Sequence, residues 1–141
     1  MSRCCSFTTP KQTLGMKKIT FGTLNINGGG ENHNHQAQVK SLMRRKNIDI
    51  LLLQETHITH NVEYDWCCLF AGRCFFSNLS SLSAGVSFIL RPGLTPESCL
   101  FREIVKGRFI SLELVINNFH FILLNVYSPS GAQNKELSWC L

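Results

Sequence analysis

Glu55 is the most chemically pointed residue of the chain. It follows Ile50-Leu51-Leu52-Leu53-Gln54, an apolar run that reads as a buried strand. A carboxylate there must face solvent, pair with a cation, or bind a metal, because burying it alone is costly. A hard divalent ion such as Mg²⁺ suits one or two carboxylates, with water and phosphate oxygens completing its shell. An ordinary exposed glutamate at a strand end fits the same position. Asn25 and Asn27 close a second apolar stretch, Thr23-Leu24-Asn25-Ile26-Asn27-Gly28. Two apart on a regular strand, their amides share a face. They could orient a catalytic group, ligate a metal weakly or bind a phosphate oxygen; turn chemistry before Gly28 is the plainer alternative. Tyr127, ahead of Ser128-Pro129, could offer its hydroxyl to a phosphate or an attacking water. A half-buried tyrosine with a satisfied hydroxyl reads the same.

The elements that must position these residues are an α/β set. Ile19–Ile26 reads as a strand ending near Asn27, and Gly28 to His35 as a polar loop. From Gln36 to Asn47, Val39, Leu42 and Met43 fall at helical spacing opposite Lys40, Arg44 and Arg45. Ile48–Leu53 then completes a βαβ unit with a parallel pair. Trp66–Phe70, Arg73–Ser77 and Val86–Arg91 read as short strands. Phe109–Ile116 and Phe119–Val126, joined by Asn117-Asn118, read as a β-hairpin, since asparagine tolerates the positive φ of primed turns. The tail from Gly131 to Leu141 could start a helix.

Bulk properties narrow the class. The chain has 141 residues, which suits one domain, with 44% hydrophobic and 16% charged residues, enough for a packed core. A net charge of +5 favours anionic partners without establishing nucleic-acid binding. Seven cysteines, odd in number and without a CxxC, argue against a disulfide framework or zinc knuckle and for free thiols in a reducing compartment. No apolar run is long enough for a membrane span. Residues 1–17 read as a flexible leader without the apolar core of a signal peptide. Gly28-Gly29-Gly30 is neither a Walker loop nor a dinucleotide fingerprint. His33 and His35 read as solvated loop residues, His57 and His60 are ambiguous, and the Lys40, Arg44, Arg45, Lys46 cluster reads as a solvated helix face.

In combination the segments resemble the endonuclease/exonuclease/phosphatase superfamily. The nearest likeness is to the apurinic-type endonuclease domain of LINE-type non-LTR retrotransposon proteins. The resemblance is carried in order by Thr23–Gly28, the helix, Ile50–His57, Ala84–Leu90, Gly107-Arg108-Phe109 and Leu123–Pro129. It implies a partial domain over 18–141, the N-terminal portion of a four-layer α/β sandwich of two packed sheets flanked by helices. It implies Mg²⁺-dependent phosphodiester cleavage, with Mn²⁺ as a substitute ion. Glu55 would be the metal ligand, Asn25 would orient catalytic groups and phosphate, and Tyr127 would contact phosphate or the attacking water. Asn27 falls where many members carry a metal-binding aspartate. The resemblance also implies a DNA partner, no membrane, and an intracellular site, cytoplasmic or nuclear. After the Tyr-Ser-Pro motif the family pattern supplies an Asp-x-Asn motif and an Asp-His pair. Ser128 to Leu141 contains no aspartate and no histidine. The expectation is therefore a truncated domain, inactive alone, its second sheet largely absent and its uncovered sheet face prone to self-association. A non-catalytic remnant that binds nucleic acid or protein, and a phosphatase- or phospholipase-type member of the fold, are the alternatives.

Overall fold

The computed structural model describes residues 18–71 and 73–129. The expected leader, the Gly72 break, the tail and Cys4, Cys5 and Cys140 lie outside the described residues. Strand β1 (Phe21–Asn25), helix α1 (His33–Arg45) and strand β2 (Ile50–Gln54) form the expected βαβ unit. β1 and β2 are parallel, with Phe21 opposite Ile50 and Asn25 opposite Gln54. α1 starts earlier than the apolar spacing suggests. Asn32 caps it, its side-chain oxygen accepting from Asn34 N at 2.8 Å and His35 N at 3.2 Å. A side chain that satisfies free N–H groups recruits His33, Asn34 and His35 into the first turn. Gln36, Val39 and Met43 form the buried face, and Arg44 and Arg45 complement the dipole of the last turn.

The stretch expected as a strand at Trp66–Phe70 is helical instead. It lies in α2 (Glu63–Phe70), entered through a 3₁₀ turn at His60–Val62. Trp66 and Phe70 are four residues apart, so a helix puts both on one face. Their rings stack at 5.6 Å in the core. Glu63 and Asp65 occupy the first turn, where the helix dipole favours acids. Strands β3 (Cys74–Ser77) and β4 (Val86–Leu90) follow as expected. The first sheet runs β1-β2-β4-β3, with β4 antiparallel to both neighbours.

The second sheet is present, against expectation. It runs β5 (Ser98–Val105), β6 (Phe109–Ile116) and β7 (Phe119–Val126). Its hairpin turns on Asn117 and Asn118, both left-handed at φ 51° and 65°, as the sequence suggests. β5 escapes sequence reading because its apolar residues split between faces: Cys99 and Phe101 join the inner core, while Leu100 points outward. Between the sheets, Ile110, Leu112, Leu114 and Ile116 pack against Ile50, Val86, Phe88 and Leu90. On the other face of the first sheet, Leu51, Leu53 and Ile89 meet Val39, Met43, Trp66 and Phe70 of the helices. The described residues thus build helices, sheet and sheet, in that order. The outer face of the second sheet carries exposed Leu100, Ile122, Leu124 and Val126. No helix among the described residues is long and apolar enough to cross a membrane.

Candidate active site

Where β1 and β2 end side by side, the backbone leaves ordinary strand geometry. Asn27, Glu55 and His57 are all left-handed, at φ 50°, 51° and 51°. Such positions cost on the order of 1–3 kcal/mol each and persist only where the surroundings enforce them. Here they are enforced by hydrogen bonds between the two strand ends. Ile26 N donates to Gln54 O at 3.0 Å and Gly28 N to Glu55 O at 2.6 Å. Asn25 ties side chains to this frame. Its Nδ2 donates to Glu55 Oε1 at 2.8 Å, and its Oδ1 accepts from Asn27 N at 2.9 Å. One amide therefore orients the carboxylate and folds its own loop.

The Gly28-Gly29-Gly30 run is a packing device. A Cβ at Gly28 would stand 2.6 Å from His57 Nδ1, and one at Gly30 would collide with Thr56 O and Ile58. Trp66 Nε1 donates to Gly30 O at 2.8 Å, fastening the same loop to α2.

The second sheet supplies the opposite wall. Asn125, only 1% exposed, sits at an inward position of β7. Its Nδ2 donates to Leu53 O and Ser87 O, each at 2.9 Å, and its Oδ1 accepts from Gln54 Nε2 at 2.7 Å. It thus crosslinks β7 to β2 and β4. Sequence reasoning gave Asn125 no role; the available signal was a polar residue at an inward position of an apolar alternating strand. Tyr127 follows two residues on, its N–H donating to Arg108 O at 2.8 Å. Its hydroxyl faces Glu55. Partial burial, the Glu55 charge and hydrogen bonding to that carboxylate raise the Tyr127 pKa above the usual tyrosine value, opposed by Arg108. At neutral pH the hydroxyl is a firm donor.

Asn25, Glu55 and Tyr127 meet in an open cleft of about 570 Å³, together with Thr23, Gln54 and Ser128. Asn27 is not among its lining residues. It lies past the end of β1, so the strand periodicity that would share its face with Asn25 does not reach it. The other histidines lie elsewhere: His33 and His60 beside acids of α2, His120 beside Glu113. Lys40 Nζ donates to Leu69 O at 2.7 Å, which gives that member of the basic cluster a structural task at the end of α2.

Among the described residues no group of three or more His, Cys, Asp or Glu gathers as a metal cage. The cleft offers one carboxylate, 22% exposed, with amides and a hydroxyl around it. That donor set suits a hard ion that keeps most of its shell as water and substrate oxygen. Zinc sites use three or four histidine, cysteine or carboxylate ligands, and no such set gathers among the described residues.

A family model described as the Endonuclease/Exonuclease/phosphatase family matches residues 22–132. A Xenopus laevis protein named transposon TX1 uncharacterized 149 kDa protein is 32% identical over 117 residues, covering 83% of this chain and 9% of its own length. Among solved structures, the AP endonuclease LMAP from Leishmania major aligns with TM-score 0.60 at 17% identity, over 86% of this chain and 44% of that one. An AP endonuclease from Archaeoglobus fulgidus aligns with TM-score 0.59 at 20% identity, over 86% and 46%. The chain spans under half the length of these two structures and a tenth or less of the transposon protein.

Proposed function

The chain belongs to the Endonuclease/Exonuclease/phosphatase family, and from that premise we propose that it is part of a Mg²⁺-dependent, DNA-cleaving endonuclease domain of LINE-type retrotransposon origin. The observation that carries the reading is Glu55, bonded by Asn25 and faced by Tyr127 in one cleft. In this reading Glu55 holds the ion, with Mn²⁺ able to replace Mg²⁺. Asn27, whose N–H is held by the same Asn25 side chain that bonds Glu55, is the second candidate ligand in this reading. When bound, the ion supplies Lewis acidity at the phosphoryl oxygen and neutralises charge growing in the transition state. Asn25 fixes the carboxylate and leaves Glu55 Oε2 for the ion. Tyr127, protonated at neutral pH, donates to a phosphate oxygen or orients water. In this reading the chemistry belongs to the cytoplasm or nucleus.

The lone carboxylate also favours a second reading: as 141 residues, the chain binds metal and phosphate without turnover. General acid–base catalysis is worth about 10²–10⁴-fold, and among the described residues no second acid and no histidine lines this cleft. A supercoiled-plasmid nicking assay with Mg²⁺, beside Glu55→Ala, tests both. The expected result is no nicking by either protein. Nicking that disappears in Glu55→Ala would instead make the half-site a working enzyme. Nicking that survives the substitution would remove Glu55 from the account. Self-association through the outer face of the second sheet is part of this reading, since Leu100, Ile122, Leu124 and Val126 stand exposed there.

A further inference from the structure

We propose that His57 is a positioning residue that sets the direction of the Glu55 carboxylate; the inference rests on the reading of Glu55 as the metal ligand. The two side chains are similarly sheltered, 20% exposed for His57 and 22% for Glu55. His57 Nε2 stands 4.0 Å from Glu55 Oε2, within reach of a directing charge or N–H dipole but longer than a direct hydrogen bond. The opposite edge of the ring is held. Nδ1 lies against Gly28, where any Cβ would sit 2.6 Å away. The backbone is held as well, since His57 N donates to Ala84 O at 3.1 Å and Thr56 N to Gly85 O at 3.2 Å.

With Nδ1 against Gly28, the Nε2 edge of the ring is the one turned toward Glu55. Glu55 Oε1 is already engaged by Asn25 Nδ2 at 2.8 Å. The ring therefore addresses the oxygen that Asn25 leaves, which is the one offered to the ion. Glu55 and His57 are both left-handed, at φ 51°, and both side chains face the β1 end, at Asn25 and Gly28.

The test is a Mn²⁺ titration of the 141-residue protein followed by electron paramagnetic resonance, with thermal melts to confirm folding. His57→Phe keeps a ring on Gly28 and removes the polar edge. His57→Gln returns an amide N–H near the Nε2 position. Partners of a metal ligand typically change affinity by about 10–100-fold when removed. The expected result is at least about tenfold weaker Mn²⁺ binding in His57→Phe, substantial recovery in His57→Gln, and loss in Glu55→Ala. Unchanged affinity in His57→Phe with loss in Glu55→Ala would overturn the positioning role and leave the site reading standing. Equal loss in the Phe and Gln variants would show that an N–H returned near the Nε2 position does not restore binding, and would overturn the polar positioning role. Equal binding by wild type and Glu55→Ala would overturn the site reading itself, and this inference with it.

Discussion

The two sheets are built from similar strands but live in different surroundings. β4 of the first sheet is buried at every residue, with helices on one side and the second sheet on the other. β7 of the second sheet is only partly covered on its inward face, where Asn125 alone is buried, and bare on the other, with Ile122 62% exposed. The cleft lies where these conditions meet. The doubly covered sheet can hold strained residues such as Glu55 in place, because its surroundings cannot yield. The singly covered sheet contributes Tyr127 from an edge strand, which needs the buried Asn125 crosslink to stay aligned. Rigidity on one wall comes from packing, and on the other from a few hydrogen bonds.

That contrast is open to attack by mutation. Phe88→Ala, at a fully buried position between the sheets, should destabilise by about 3–5 kcal/mol in urea unfolding. A loss under 1 kcal/mol would mean the sheets do not share a core. Asn125→Leu should cost about 1–3 kcal/mol by removing its buried bonds to Leu53 O, Ser87 O and Gln54 Nε2. It should also broaden the Tyr127 resonances in NMR spectra, because the edge strand loses its tie. Sharp, unmoved Tyr127 signals would show that β7 is aligned by packing alone.

A smaller effect should appear in titration. Burial raises the Tyr127 pKa most and Glu55 adds to it, so Glu55→Gln should lower it part of the way toward the ordinary tyrosine value, read from the ring carbon shift. The sign for stability follows. A folded pKa above the unfolded one adds stability that is complete below the unfolded value and fades as pH rises through the folded value. Glu55→Gln should shrink that alkaline contribution, and an unchanged Tyr127 titration would separate the two residues. Smallest of all, Ile122→Ser on the bare face should change monomer stability by no more than about 0.5 kcal/mol while weakening concentration-dependent association in sedimentation. A large stability loss there would mean that face is covered.

Much of this was legible in the sequence, and the failures have physical causes. β2 announces itself as a continuous apolar run, and the Asn117-Asn118 hairpin by residues that accept positive φ. Glu55, Asn25 and Tyr127 were selected from strand ends and do converge on one cleft. Trp66–Phe70 was misassigned because a short apolar run does not reveal its period; only the packing of Trp66 on Phe70 and Gly30 decides for a helix. β5 was missed because its apolar residues face both ways. The role of Asn125 depends on carbonyls in β2 and β4, 72 and 38 residues away in sequence. No local pattern encodes such partners. The positive φ of Glu55 is equally silent, since glutamate does not favour that conformation.

Glu55 and its neighbours, as proposed, form a divalent-ion site at the junction of the two sheets. Mn²⁺-induced broadening of backbone amide resonances tests it most directly. Low Mn²⁺ should broaden Asn25, Glu55 and Tyr127 first in the wild-type protein, and none of them preferentially in Glu55→Ala. Broadening centred elsewhere, or unchanged by Glu55→Ala, would contradict the account.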